Sequence, residues 1–191
     1  MVQIASNPIT LSQFLQQPET KPACEYIDSQ IIQKPMPQGK HSILQGELVP
    51  KINSILKAKQ IAFAFPELRC TFGGRSTVPD IAVFVWNRIP SDRNGEVANT
   101  FEIAPDWTIE ILSPDQSQTR VTKNLLHCFL HCLKHGTQMG WLIHPNERTV
   151  FIYRPKQEIE IFDDPDSLLP MPSFASEIKI TVKDLFAWLL K

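Results

Sequence analysis

Two acidic residues are set in short apolar segments whose composition is typical of β-strands. Asp80 lies near the start of residues 78–86, and Glu110 lies inside residues 107–114, where β-branched and aromatic residues are frequent. A carboxylate in such surroundings is costly to bury unless it is paired, hydrogen-bonded or bound to a metal. Two such acids on two strands suggest that the same interaction compensates for the burial of both. A divalent cation held between them is the simplest explanation, because hard cations bind carboxylate oxygens.

The elements that must position these acids follow from the spacing of the apolar residues. The chain reads in the order helix, hairpin, helix, strands, helix, strands, helix. This order predicts a single domain over residues 1–191 with an α/β or mixed α+β fold, in which a mixed sheet is flanked by helices. The predicted elements are hairpins at 25–27 with 30–32 and at 68–72 with 79–86, strands at 107–112, 141–143, 149–153 and 159–162, and helices at 41–59, 119–135 and 180–190.

Composition narrows the classes of protein that the chain can represent. The formal net charge is −1, which argues against a histone-like DNA-binding protein but leaves room for an enzyme with a local basic surface. No apolar run approaches the ~18–20 residues of a membrane span, and residues 1–10 lack the features of a secretory signal. The four cysteines are too few and too scattered for a disulfide framework, so we expect a cytoplasmic protein.

The segment 127–135 is rich in histidine and cysteine, the usual ligands of zinc. On a helical wheel its three histidines fall on one face and its apolar residues on the opposite face. We therefore expect surface histidines on an amphipathic helix, while a zinc-containing interaction protein stays open as an alternative. The predicted apolar face comprises Leu125, Leu126, Phe129, Leu130 and Leu133, the solvent face His127, His131 and His135, and the border Cys128 and Cys132.

The order of several short motifs resembles the Uma2 (DUF820) family of restriction-endonuclease-like proteins, over roughly residues 10–165. Pro79-Asp80 and Glu110 also resemble the PD-(D/E)xK nuclease pattern, although Leu112 stands where that pattern has its lysine. In the Uma2 family the lysine comes from the following helix, which points to Lys123. The resembling motifs are Glu25-Tyr26-Ile27-Asp28, Pro35-Met36-Pro37 followed by His41, Val78-Pro79-Asp80-Ile81, Glu110-Ile111-Leu112-Ser113-Pro114, Lys123, and Gly140-Trp141-Leu142-Ile143-His144-Pro145.

This resemblance implies a metal-dependent endonuclease that hydrolyses the phosphodiester bonds of DNA. We expect Asp80 and Glu110 to hold Mg²⁺ or Mn²⁺, with a backbone carbonyl such as that of Ile111 as a further ligand. Lys123 is then expected to orient the attacking water or to stabilise the pentacovalent oxyanion.

Three of the candidate residues also have plainer interpretations. The spacing of Glu25 alone favours a solvated strand residue, and only the resemblance makes it a further site carboxylate. Lys123 lies at the edge of the apolar arc of its helix, where a solvated lysine is the commoner case. His41 is either an auxiliary group of the site or merely a residue at the start of a helix, and the sequence slightly favours the second.

A second function stays open beside the nuclease: a catalytically inactive nuclease-fold module that binds nucleic acid or has a regulatory role. Relatives of this fold that cut duplex DNA often act as dimers, and two-fold pairs are the commonest assemblies, so we also expect a homodimer.

Overall fold

The chain adopts the predicted mixed α+β fold, which a computed structural model describes for residues 9–113 and 128–190. Two sheets and four helices make up this described part, together with two single-turn 3-10 helices. The helices are α1 Leu11–Leu15, α2 Gly39–Leu56, α3 at residues 128–134 and α4 Val182–Ala187. The strands are β1 Cys24–Ile27, β2 Gln30–Gln33, β3 Ala62–Pro66, β4 Cys70–Phe72, β5 Arg75–Thr77, β6 Ile81–Val85, β7 Trp107–Ile111, β8 Met139–His144, β9 Thr149–Tyr153 and β10 Glu160–Phe162.

The larger sheet has six strands in the order β10-β9-β8-β7-β6-β3, and it is mixed because β7 and β8 run parallel. The smaller sheet has the order β2-β1-β5-β4. The two acid-bearing segments are adjacent, as a cation held between their carboxylates requires, since β6 pairs with β7 in the register that places Ile81 opposite Ile109. Extending this antiparallel register by one residue brings Asp80 opposite Glu110.

Helices cover both faces of the larger sheet. Ile81, Ile109 and their neighbours at alternate positions pack against the buried residues of α2 and α4. The intervening positions, such as Phe84, face the other side, where Cys128 and Cys132 of α3 pack. Glu110 alternates with the residues of the first face, so its side chain belongs to the face that α3 covers.

The first predicted hairpin, 25–27 with 30–32, is confirmed. The second, 68–72 with 79–86, is wrong, because a different segment pairs with its first strand. Asp28 and Ser29 connect β1 to β2 with φ of 50° and 63°, so the turn forms without glycine. The strand that returns after β4 is β5, not residues 79–86. Because Pro79 has no N–H to donate to a strand ladder, pairing in the smaller sheet stops before it. The chain then enters the larger sheet as β6 and pairs with β3, a strand that the sequence pattern did not predict.

The predicted orientation of α3 is wrong in part. Phe129 is fully buried as expected, but Leu130 is 61% exposed and His131 is only 8% exposed. The reason is the smaller sheet: the His131 ring stacks on Phe72 of β4 at 4.8 Å between centroids, and its Nε2–H donates to the Phe72 carbonyl at 3.0 Å. Of the predicted faces, Leu125, Leu126 and His127 lie outside the described residues.

The predicted C-terminal helix is present and is capped by Thr181, whose Oγ1 accepts a hydrogen bond from the backbone N–H of Asp184 at 3.1 Å. None of the helices in the described ranges has the length and apolar character that crossing a membrane requires.

Candidate active site

The two predicted acids meet at the junction of β6 and β7. Asp80 immediately precedes β6, Glu110 lies within β7, and each side chain is almost completely buried, with 3% of either residue exposed. The Asp80 carboxylate is held in place by the backbone of the neighbouring strand, since the N–H of Ile111 donates to Oδ2 at 2.7 Å. The amide of Gln45 on α2 donates to the Asp80 carbonyl oxygen at 2.8 Å.

A lysine that the sequence analysis did not single out joins these acids. Lys34 follows β2 in the smaller sheet, and its Nζ lies 2.8 Å from Asp80 Oδ1 and 3.2 Å from Glu110 Oε2. It also donates to the carbonyl oxygen of Val78 at 2.7 Å. Alternation places the side chains of Lys34 and Ile32 on the same face of an extended chain, but it does not indicate which segment that face meets. The second predicted lysine, Lys123, lies outside the described residues.

Glu25 belongs to the same cluster, which the spacing of its strand did not predict. It lies on β1, half-buried, and its Oε1 accepts a hydrogen bond from the backbone N–H of Val78 at 2.8 Å. Val78 thus donates to Glu25 and accepts from Lys34 through its two backbone groups. This arrangement ties the β1–β2 hairpin of the smaller sheet to the segment that leads into β6.

His41 lies in the site, so it is more than the beginning of a helix. It occupies the first turn of α2 and is 5% exposed. Its Nε2 is 3.5 Å from Asp80 Oδ1, and its Nδ1 is 3.4 Å from the hydroxyl of Ser113. Among the described residues Nε2 has no hydrogen-bond partner of ordinary geometry. A buried polar nitrogen without such a partner is uncommon, and its nearest charged group is the Asp80 carboxylate.

Burial and charge set the protonation of the cluster. For Asp80, burial opposes ionisation, but Lys34 and His41, together with the hydrogen bonds, outweigh it and hold the pKa below its ordinary value. For Glu110, burial dominates over the opposing effect of Lys34 and raises the pKa well above its ordinary value. Burial likewise raises the pKa of Glu25. Burial would lower the pKa of Lys34, yet the surrounding carboxylates raise it well above its ordinary value.

The cluster opens into a cavity of about 790 Å³ between the β1–β2 hairpin and the ends of β6 and β7 where Asp80 and Glu110 lie. The space is far larger than a metal ion and its water ligands require, and it is of the size that small-molecule sites have. The apolar side of the cavity includes Ile31 and Met36, both exposed. The residues that line it include the candidate site residues Glu25, Lys34, His41, Asp80, Glu110 and Ile111.

The donor set suits a hard divalent cation. The carboxylates of Asp80 and Glu110 contact the ammonium of Lys34, and the carboxylate of Glu25 acts on it electrostatically, so carboxylates outnumber ammonium groups by two when all are ionised. An ion such as Mg²⁺ or Mn²⁺ would balance that excess negative charge and bind through oxygen. In residues 9–113 and 128–190, however, no three His, Cys, Asp or Glu side chains already form a metal-binding group, and Lys34 takes the space between the two buried acids.

Comparison with known proteins identifies the family of the chain and supports the fold. The sequence pattern of the Uma2 family, described as "Putative restriction endonuclease", matches residues 11–183. A crystal structure of "a putative nuclease belonging to DUF820" from Anabaena variabilis ATCC 29413 is 69% identical, covers 96% of this chain and 100% of its own, and superposes with a TM-score of 0.91. No curated protein matches the sequence. Because the family pattern spans nearly the whole chain, the protein belongs to the Uma2 family.

Proposed function

We propose that the protein is a nuclease that hydrolyses the phosphodiester bonds of DNA with Mg²⁺ or Mn²⁺. The family to which it belongs and its structural neighbour support nuclease function in general. The observation that carries the specific proposal is the convergence of Asp80 and Glu110, two buried carboxylates from adjacent strands, on one lysine at an open cavity. Buried carboxylates of this kind are typical of sites built for chemistry, because burying them without need is costly.

Metal binding is assigned to four residues of the chain. Asp80 and Glu110 hold the ion, together with the backbone carbonyl of Ile111, and Glu25 adds a carboxylate at the edge of the cluster. The bound ion would lower the pKa of a water and neutralise charge that develops on the phosphate oxygens. The strand backbone keeps the carboxylates in place, since the N–H of Ile111 fixes Asp80 Oδ2.

We propose that Lys123 orients the attacking water or stabilises the developing oxyanion. Its replacement by alanine is expected to spare metal binding but to slow the chemical step ~10²–10³-fold, as loss of a single oxyanion donor does. Equal cleavage by Lys123→Ala and wild type would remove it from the site.

A cleavage assay tests the proposal. Purified wild type, Asp80→Asn and Glu47→Gln are incubated with plasmid DNA, linear duplex, single-stranded DNA and RNA in Mg²⁺ or Mn²⁺. Glu47 is an exposed acid on α2 outside the cavity, so it controls for a change of charge. We expect wild type and Glu47→Gln to cut DNA until EDTA is added, and Asp80→Asn to be inactive, because a neutral amide is a poorer ligand.

Two outcomes would contradict the proposal. If all three proteins cut equally, the activity is a contaminant. If wild type cuts no nucleic acid and calorimetry finds no Mn²⁺ site, the chain is a nuclease-fold binding or regulatory module.

The homodimer is a further part of the proposal. A two-fold pair would bring two sites to bear on the two strands of a duplex. Sedimentation equilibrium at tens of micromolar is expected to give twice the chain mass of 21.8 kDa. A monomer mass under these conditions would contradict it.

A further inference from the structure

The Lys34 ammonium is bound as a metal ion would be bound. Three oxygens from three different residues surround Nζ at 2.7, 2.8 and 3.2 Å: the Val78 carbonyl, Asp80 Oδ1 and Glu110 Oε2. Two of the three belong to the carboxylates that the proposed function assigns to the cation. An ammonium and a divalent cation cannot share these oxygens at close range, because the two positive charges would repel each other in a poorly solvated site.

We propose that Lys34 is the resident cation of this site, which a divalent ion must displace in order to bind between Asp80 and Glu110. The inference rests on the proposed function, because it presumes that these carboxylates bind metal. It adds that metal affinity is set by competition with a side chain of the protein itself. In the metal-free protein, Lys34 neutralises part of the negative charge of the carboxylates. The site therefore binds metal more weakly than the carboxylates would without Lys34.

The surroundings of Lys34 allow such an exchange. Its side chain is 18% exposed and lines the cavity, whereas the side chains of Asp80 and Glu110 are 5% and 4% exposed and are fixed on paired strands. A lysine has a flexible four-carbon stem, so its ammonium can move into the cavity while the backbone stays in place. The bond from the Ile111 N–H to Asp80 Oδ2 does not involve Lys34 and can persist.

The rival arrangement is that Lys34 stays between the acids and the ion binds beside it. The two arrangements predict opposite effects of removing the ammonium. Under displacement, Lys34→Met frees the carboxylate oxygens and tightens metal binding. If Lys34 instead orders the carboxylates for the ion, the same variant binds metal more weakly.

Calorimetric titration with Mn²⁺ separates these cases without any assay of cleavage. The proteins are wild type, Lys34→Met, Lys34→Gln and Lys40→Met, since Lys40 lies nearby but bonds to Asn146 and not to the cluster. We expect both Lys34 variants to bind Mn²⁺ about tenfold more tightly than wild type, within the ~5–150-fold range of typical coupling. Lys40→Met is expected to stay within about threefold of wild type, because it loses only an exposed charge.

Unchanged or weaker binding by the Lys34 variants, beside a measurable wild-type site, would overturn the inference and leave the nuclease proposal standing. If no protein of the set binds Mn²⁺, the metal site of the proposed function does not exist. Lys34 then only forms ordinary ion pairs with Asp80 and Glu110.

Nuclear magnetic resonance of protein labelled with ¹⁵N-lysine tests displacement in the folded wild type itself. A buried, hydrogen-bonded ammonium should give a protected Nζ signal that is absent from Lys34→Met. We expect saturating Mg²⁺, which is diamagnetic, to abolish this signal. A Lys34 signal that keeps its position and protection at saturating Mg²⁺ would overturn the inference.

Discussion

The ammonium nitrogen of Lys34 lies 2.8 Å from Oδ1 of Asp80, although 46 positions separate the two residues. Lys34 follows the smaller sheet and Asp80 leads into the larger one, so this contact joins the two sheets at the site. Four contacts between charged or polar groups therefore depend on how the sheets are docked: those of Lys34, and that of Glu25 with the Val78 backbone.

The cost of keeping Glu110 in its buried place can be measured in the metal-free protein. We expect Glu110→Gln to abolish cleavage but to raise the free energy of unfolding in EDTA by ~0.5–2 kcal/mol, the gain typical when a site residue strained for function is replaced. The reason is that the amide removes a carboxylate that burial disfavours, while it can still accept from Lys34. Urea denaturation of both proteins at pH 8 provides the comparison. A loss of stability would show that the ionised carboxylate stabilises the fold.

His41 is expected to support Asp80, which it approaches at 3.5 Å. Groups that orient the ligands of a metal typically change affinity or activity ~10–100-fold when replaced. We therefore expect His41→Asn to weaken both Mn²⁺ binding and DNA cleavage by about that factor. His144→Asn is the control, since His144 lies near Glu147 outside the cavity. Equal metal affinity and cleavage in His41→Asn and the control would remove His41 from the site.

Two neighbouring residues of α3 test how this helix packs. Phe129 is fully buried and its ring stacks on Tyr153 at 4.7 Å between centroids, whereas Leu130 is 61% exposed. Phe129→Ala is expected to lower the free energy of unfolding by ~3–5 kcal/mol through loss of contacts and a cavity. Leu130→Ala should cost less than about 0.5 kcal/mol, as surface changes do. Similar losses in thermal or chemical denaturation of the two variants would contradict this orientation.

The burial of His131 has a consequence for stability at mildly acid pH. Burial lowers its pKa in the folded state below the ordinary value of 6.5, and Arg75 and His135 lower it further against the effects of the Phe72 carbonyl and Asp28. The unfolded chain therefore binds the proton more readily. The stabilisation is complete above pH 6.5 and is lost as the pH falls towards the folded-state pKa.

Between about pH 7 and pH 5.5, we expect acidification to lower the free energy of unfolding of wild type relative to that of His131→Gln, because the raised pKa values of Glu110 and Glu25 act in the opposite direction in both proteins and cancel in the comparison. Urea denaturation at several pH values gives the two slopes. His144→Gln, which removes a more exposed histidine, is the control for loss of an imidazole. An equal slope in His131→Gln would assign the acid sensitivity to other groups.

Local pattern was enough to predict the acid pair. Asp80 and Glu110 are recognisable because each interrupts an apolar, β-branched run. The apolar composition of such a run indicates that the strand is buried. The same holds for the turn at Asp28 and Ser29, which lies between two short strands. The polarity of those residues predicted a turn even though glycine was absent.

Contacts between distant segments could not be predicted in this way. Lys34 contacts the two acids only because the two sheets are docked against each other. Its own neighbours in sequence are ordinary for a strand end. The face of α3 was misjudged for the same reason. A helical wheel assumes one apolar partner, whereas the smaller sheet adds a second partner at Phe72 and buries His131.

The most direct test of the central claim, that Asp80 and Glu110 form a metal-dependent nuclease centre, is anomalous diffraction from a crystal soaked in Mn²⁺. We predict one strong anomalous peak between these carboxylates, at the ~2.0–2.3 Å expected for oxygen ligands of a small divalent ion, and its absence from Asp80→Asn. A wild-type crystal with no peak there at saturating Mn²⁺, or with its only peak away from both residues, would contradict the account.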